Sequence, residues 1–392
     1  MVIYSDRSRT DASPKRESEP EAEFYDRIAG PYWDQVREVI NEWSSHLPVD
    51  AQPGIRSRLR DRNNDSNVFS ALWELYLHEM LIGSGCTVEV EQAAGDRGKY
   101  PDFLVTHEDG QFVLEAVWTV QRLKGSAYNP LIASLLDAIN TVPSPNFYLA
   151  VTINRTGAKK PSQKRLKADL ARWLEELDPD EFIADRELRD GARARHTWAE
   201  ADWSISFEAI PRSPESRGLP GRTIGFYPTI AWFGGESELV LDTVKRKGTK
   251  YGELNLPFIV AVGHAGFLPE EEDVKTALYG SSHGHARRDG ASTYTRLANG
   301  YWTAPRDNGH ERVSGVLVVD NPAPPTWATK SPTLWHSSHQ NSISAPVLPT
   351  WKAARLVDGQ VEREPSVTEV HTALGLPAQW PSGDPFPRPQ RQ

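Results

Sequence analysis

The sequence predicts an α/β fold, on three observations. A capped, largely apolar helix over residues 67–82 runs into a three-strand meander that ends near residue 119. Through the second half, apolar strand-like runs alternate with amphipathic helical segments. The composition, 38% hydrophobic and 25% charged over 392 residues, is that of a globular chain with a sizeable core.

Asn64, Asp65 and Ser66 supply N-cap chemistry for the helix, and Gly83-Ser84-Gly85 supplies its stop. Its surface is mostly apolar (Val68, Phe69, Leu72, Leu75, Met80), which predicts burial, with a narrow polar line through Asn67, Glu74 and His78. A carboxylate on a buried helix needs a partner or a cation, which singles out Glu74. Residues 87–92 alternate as a strand. Residues 100–106 and 111–119 form a hairpin, with Asp109-Gly110 in its turn. In an antiparallel hairpin of this length Asp102, after Pro101, lies opposite Glu115. Period-two alternation puts Val113, Glu115, Val117 and Thr119 on one face and Phe112, Leu114 and Ala116 on the other, so an acid stands in an apolar row.

Pro101-Asp102, a hairpin and then Glu115-Ala116-Val117 resemble the core of the PD-(D/E)XK nuclease superfamily. The following segments, a helix over 126–140 and a strand over 146–153, continue the resemblance through residues 66–154. It implies a restriction-endonuclease-like core (helix, three-strand meander, helix, strand) elaborated by a C-terminal α/β extension. It also implies a metal-dependent endonuclease that hydrolyses DNA, with Asp102, Glu115 and Glu74 as catalytic residues and ligands of Mg²⁺ (or Mn²⁺). DNA is the expected partner and a homodimer is possible. The motif's final lysine is absent, because Val117 stands in its place. Lys99 and Lys124 flank the hairpin as substitutes, and Lys245, Lys247 and Lys250 are a third source if their helix packs beside it. The alternative is a catalytically inactive nuclease-fold protein that binds nucleic acid or a protein partner. Set against a metal site is the reading in which Glu74 pairs with His78, Asp102 caps a strand start and Glu115 meets Arg122 or another base.

The remaining segments are expected as follows. Residues 1–23, rich in charge, Ser and Pro, read as a disordered tail. Residues 24–65 form a helical segment, with Pro31 starting a helix that carries Trp33, Val36, Val39, Ile40 and Trp43; residues 53–62 read as a charged connector. After the core at 66–154, residues 155–350 are an α/β extension that completes or covers the sheet. It holds strands at 203–211, 257–263 and 312–320 and helices at 165–177, 236–248 and 270–278. Residues 351–392 end in a flexible Pro-rich tail. The run 156–167 is the most basic in the chain; it either frames a groove or merely opens a helix.

Composition excludes several classes. One cysteine, Cys86, leaves no disulfide framework and no cysteine-based zinc site, and with no signal-like start the expected compartment is the cytoplasm. No stretch approaches membrane-spanning length. A net charge of −9 is not that of a nonspecific nucleic-acid coat, although a nuclease needs only a local basic groove. No phosphate-binding Gly loop, dinucleotide fingerprint or nucleophile elbow is present. His283 and His285 read as part of a mobile loop, His336 and His339 lack an acidic partner nearby, and the tryptophans read as core, with Trp73 and Trp118 closest to the candidate site.

Overall fold

The computed structural model describes residues 2–92, 98–120, 130–181, 194–219, 221–226, 236–252, 254–265, 271–286, 292–304, 312–339 and 342–387. The chain is mixed α/β and forms two compact units. The first comprises residues 1–14, 20–121 and 234–392; the second, residues 15–19 and 122–233, interrupts it.

The first unit opens with helices α1 (Glu21–Arg27), α2 (Pro31–His46), α3 (Gln52–Leu59) and α4 (Asp65–Gly83). Helix α4 starts where the Asn64 side chain accepts the Ser66 N–H at 3.1 Å, and its residues from Ala71 to Leu77 are buried except Glu74. The meander follows as predicted: β1 (Thr87–Val90), β2 (Phe103–His107) and β3 (Gly110–Val120). Gly110, at φ +126°, opens β3 opposite His107, in a conformation that side chains rarely adopt.

The neighbour of β3 is not the strand at 146–153. The strand beside β3 is Phe258–Ala265, which the sequence assigned to the C-terminal extension. It lies parallel to β3, with Glu115 opposite Val260, and is buried from Phe258 through Val262. Full burial on both faces is what a parallel strand covered by helices requires, and it needs the continuous apolar run FIVAV. Phe147–Arg155 instead alternates buried and half-buried residues, the pattern of a sheet covered on one face. The predicted core of 66–154 therefore spans two units.

In the second unit, α5 (Pro130–Asn140), β4 (Phe147–Arg155), α6 (Gln163–Glu175), β5 (Arg195–Glu200), β6 (Trp203–Pro211) and β7 (Ile224–Phe226) follow in order. The four strands form a sheet in the order β5-β6-β4-β7. Leu135 and Ile139 of α5 and Leu166, Leu170 and Leu174 of α6 close its core.

The first unit resumes with α7 (Glu236–Gly248), β8 (Phe258–Ala265), α8 (Glu271–Tyr279), β9 (Ser282–Ala286), β10 (Ser292–Arg296), β11 (Gly315–Asp320), β12 (Thr333–His336), β13 (Lys352–Val357), β14 (Gln360–Glu364) and α9 (Val370–Ala373). Its main sheet has eight strands in the order β1-β2-β3-β8-β11-β12-β13-β14. One face packs Phe112, Leu114 and Ile259 against α4; the other packs Val113, Val117 and Val260 against Val240 and Val244 of α7 and Val274 of α8. Layering of this kind leaves little slack. A methyl group on Gly263 would come within 2.8 Å of the Trp118 ring and 3.0 Å of Trp73. Gly263→Ala is therefore expected to cost about 1–3 kcal/mol, read as a lower urea midpoint at unchanged slope.

Four other expectations change. The first residues are not a loose tail: Ile3 and Tyr4 are buried, and both donate their N–H groups to Asn41 Oδ1, at 2.7 and 2.9 Å. Glu17 donates its N–H to Asp137 at 2.7 Å. Composition registered few apolar residues there, whereas specific hydrogen bonds hold the backbone. The charged connector is α3, which buries Ile55 and Leu59. At the other end Trp33 donates to the Pro385 carbonyl at 2.9 Å and packs on Phe386, so 381–387 is docked rather than flexible. His283 and His285 lie in a strand paired to 292–296, not in a loop. The tryptophans are largely core: Trp73, Trp203, Trp327 and Trp351 are fully buried, and Trp118 stacks on Phe69.

Candidate active site

Hairpin register brings the two motif acids together. Phe103 pairs with Leu114, which sets Asp102 and Glu115 across from each other one step further on. Asp102 Oδ2 accepts the Ala116 N–H at 2.7 Å, anchoring the carboxyl at the strand edge. Glu115 points to the α7 face, and its side chain is 1% exposed.

An acid so deeply buried is costly without compensation. Lys247, in the last turn of α7, donates to Glu115 Oε1 at 2.5 Å, and Lys250 donates to the same oxygen at 2.8 Å. The Tyr251 hydroxyl donates to Oε2. Burial works against ionisation of Glu115, but the Lys247 charge and the three donors outweigh it and hold the carboxyl below its ordinary value. Burial and the bond to Glu115 push the Tyr251 phenol far above its usual range, so it stays a donor.

Val117, where the motif would place its lysine, lies in the apolar cluster with Val240 and Val244. The cation comes instead from the helix that covers this face. Of the lysines considered in the sequence, Lys247 and Lys250 reach Glu115; Lys124 and Arg122 lie outside the described residues.

Glu74 has a different partner from the one expected. It forms a two-pronged pair with Arg58 of α3, both contacts at 2.5 Å, rather than meeting His78. His78 bonds Glu79, at 2.8 Å. Asp102 stands between the other two acids. Burial, then the charges of Glu115 and Glu74, push its carboxyl up to about 7, against the pull of the Ala116 N–H and Lys247. A cleft of about 330 Å³ opens here, lined among others by Asp50, Arg58, Glu74, Glu91 and Asp102.

Hard carboxylate oxygens suit Mg²⁺, so the chemistry of Asp102 and Glu115 fits such an ion. Both oxygens of Glu115 are engaged within the chain, Oε1 by Lys247 and Lys250 and Oε2 by Tyr251, so an ion there would have to displace them. Glu74 does not fit as it stands, because Arg58 occupies both its oxygens. Among the described residues, one group of three potential ligands has its donor atoms within 4.8 Å of one another. It is His107, Glu108 and Asp109 in the hairpin turn, not Glu74, Asp102 and Glu115. His336 is buried in β12, and burial takes its imidazole down to about 4, so it is neutral.

Sequence reading missed Arg58 and Tyr251 as parts of the site. Arg58 sat among four arginines of the supposed connector, and Tyr251 reads as an ordinary core aromatic before an apolar strand. The spacing Lys247-x-x-Lys250-Tyr251 at a helix end was the available signal.

No protein-family model, curated protein or solved structure matches the chain. No helix among the described residues is long and apolar enough to cross a membrane.

Proposed function

We propose that the chain is a metal-dependent nuclease of the PD-(D/E)XK kind that hydrolyses DNA phosphodiester bonds. The observation that carries this reading is the convergence of Lys247 and Lys250 on Glu115, beside Asp102, in place of a motif lysine at position 117. The order of elements supports it. Helix α4, strands β1 to β3, helix α7 and strand β8 follow one another as helix, three strands, helix, strand once residues 122–233 are counted as an insertion. Asp102 and Glu115 would hold a Mg²⁺ or Mn²⁺ ion, which supplies a water of lowered pKa and neutralises charge on the phosphate. Lys247 and Lys250 place positive charge where an attacking water or a phosphate oxygen would sit, and Tyr251 keeps the Glu115 carboxylate oriented. Glu74 acts by holding Arg58 at the cleft rather than by binding metal.

A second reading, a silent nuclease-fold protein that binds nucleic acid or a protein, has its own support. Arg58 already pairs with Glu74, and Lys247 and Lys250 with Glu115, within the chain. Plasmid, linear duplex and single-stranded DNA incubated with Mg²⁺ or Mn²⁺ separate the two. Cutting is expected from the native chain and not from Asp102→Ala/Glu115→Ala at matched purity. No cutting of any substrate in either metal would leave the silent reading.

A further inference from the structure

We propose that the surface formed by residues 155–167 of the second unit binds the phosphate backbone of a nucleic acid. The choice of nucleic acid among polyanions rests on the nuclease reading; the surface itself rests on the following observations.

The segment contains six Lys and Arg residues and no Asp or Glu. Lys159, Lys160, Lys164, Arg165 and Lys167 are all exposed, and none of the five forms an ion pair among the described residues. The run is thus a local concentration of positive charge in a chain whose net charge is −9. The loop that carries them is tied down. Arg155 donates to the Asp202 carbonyl at 2.8 Å, Trp203 donates its indole N–H to the Lys159 carbonyl at 2.8 Å, and Ser162 caps α6. The positive groups therefore project from a fixed backbone, which lowers the ordering cost of binding.

Charge placement on α6 runs against what would stabilise the helix alone. Helix N-termini favour acids and C-termini favour cations. Here the first turn holds Lys164 and Arg165 and no acid, while Glu175 and Glu176 lie at the other end beside a single cation, Arg172. Cations gathered at the positive pole of a helix gain from an anion brought to them. A membrane is a poorer match, because Leu166, Leu170 and Leu174 are buried in the unit's core and leave nothing to insert.

The test uses the full chain carrying Asp102→Ala/Glu115→Ala, so that binding is read without cutting. A fluorescent duplex and a fluorescent single strand of the same length are titrated at several salt concentrations. The same chain with Lys159→Glu, Lys160→Glu, Lys164→Glu and Lys167→Glu is compared, with equal thermal unfolding as the check on folding. Each lost phosphate contact removes about 0.9 from the log–log salt slope on duplex and about 0.7 on a single strand. The four reversals are thus expected to flatten the slope by about 3–4 on duplex and to weaken binding about 100-fold or more at moderate salt. Lys→Gln at the same positions is expected to fall between. Binding within about threefold of the parent at unchanged slope would overturn the proposal, as would tighter binding to phosphatidylserine vesicles than to either DNA. A native chain that does not cut, with a slope that depends on these lysines, would fail the nuclease reading alone. Cutting by the native chain with a slope indifferent to them would fail this proposal alone.

Discussion

Replacing Lys247 and Lys250 together by Met is expected to destabilise the protein by about 3–5 kcal/mol near neutral pH, the usual cost of leaving a buried charge without its partner. The reason is the 1% exposure of Glu115: no water replaces the two ammonium groups. The pH dependence identifies the cause. In the native protein the folded-state pKa of Glu115 is depressed, so its contribution is present above the ordinary carboxylate range and is lost as pH falls through the folded value. Without the lysines, burial dominates and raises that pKa above its unfolded value. The sign then reverses, and the variant is worst at alkaline pH and recovers as Glu115 takes up a proton. Urea midpoints of parent and variant at about pH 5 and pH 8 measure this. Lys247→Met alone should cost more than Lys250→Met, because Lys247 is closer and its side chain is 20% exposed against 33%. A double variant as stable as the parent at pH 8 would mean that the Glu115 contacts do not hold this region together.

The effect of Asp102→Asn is expected to run with pH in the other direction. The Asp102 carboxyl is raised to about 7, by burial first and then by Glu115 and Glu74. An acid whose folded pKa is raised stabilises the fold most below its unfolded value, and that contribution is lost as pH climbs towards about 7. Asn keeps an oxygen for the Ala116 N–H and carries no charge. The variant should fall level with the parent only below the ordinary value of 3.8 and gain on it up to about pH 7, with about 1–3 kcal/mol of that gain between pH 5 and pH 8. If Asp102 holds Mg²⁺ as proposed, the ion competes with the same proton, so it should stabilise the parent at the higher pH and have little effect at the lower one or on the variant. Thermal unfolding at both pH values, with and without Mg²⁺, gives all the comparisons. A variant less stable than the parent at pH 8 would show that the Asp102 charge is already compensated.

Much of the site was legible because hairpin geometry is local. Asp109-Gly110 sets the turn, the turn sets the register, and the register puts Asp102 beside Glu115. Period-two alternation likewise separated the Phe112 and Leu114 face from the Val113, Glu115 and Val117 face, and the two lie against different helices. The termini were misread because composition registers apolar content and not the hydrogen bonds that Ile3, Tyr4 and Trp33 make across the chain.

The sequence by itself determined the mixed α/β class, the buried helix at 65–83, the meander and the adjacency of Asp102 and Glu115, all products of contacts within about fifty residues of chain. Only the tertiary structure decided which apolar strand lies beside β3, which base meets Glu74 and where the cations for Glu115 come from. Lys247 is 132 positions from Glu115, and Phe258 pairs with Val113 across the whole second unit. Periodicity shows that a strand is buried but not against what, and a charge pattern shows that a lysine is present but not which acid it meets. Those choices are made by helix packing and sheet order, once the chain has closed over distances that no local rule spans.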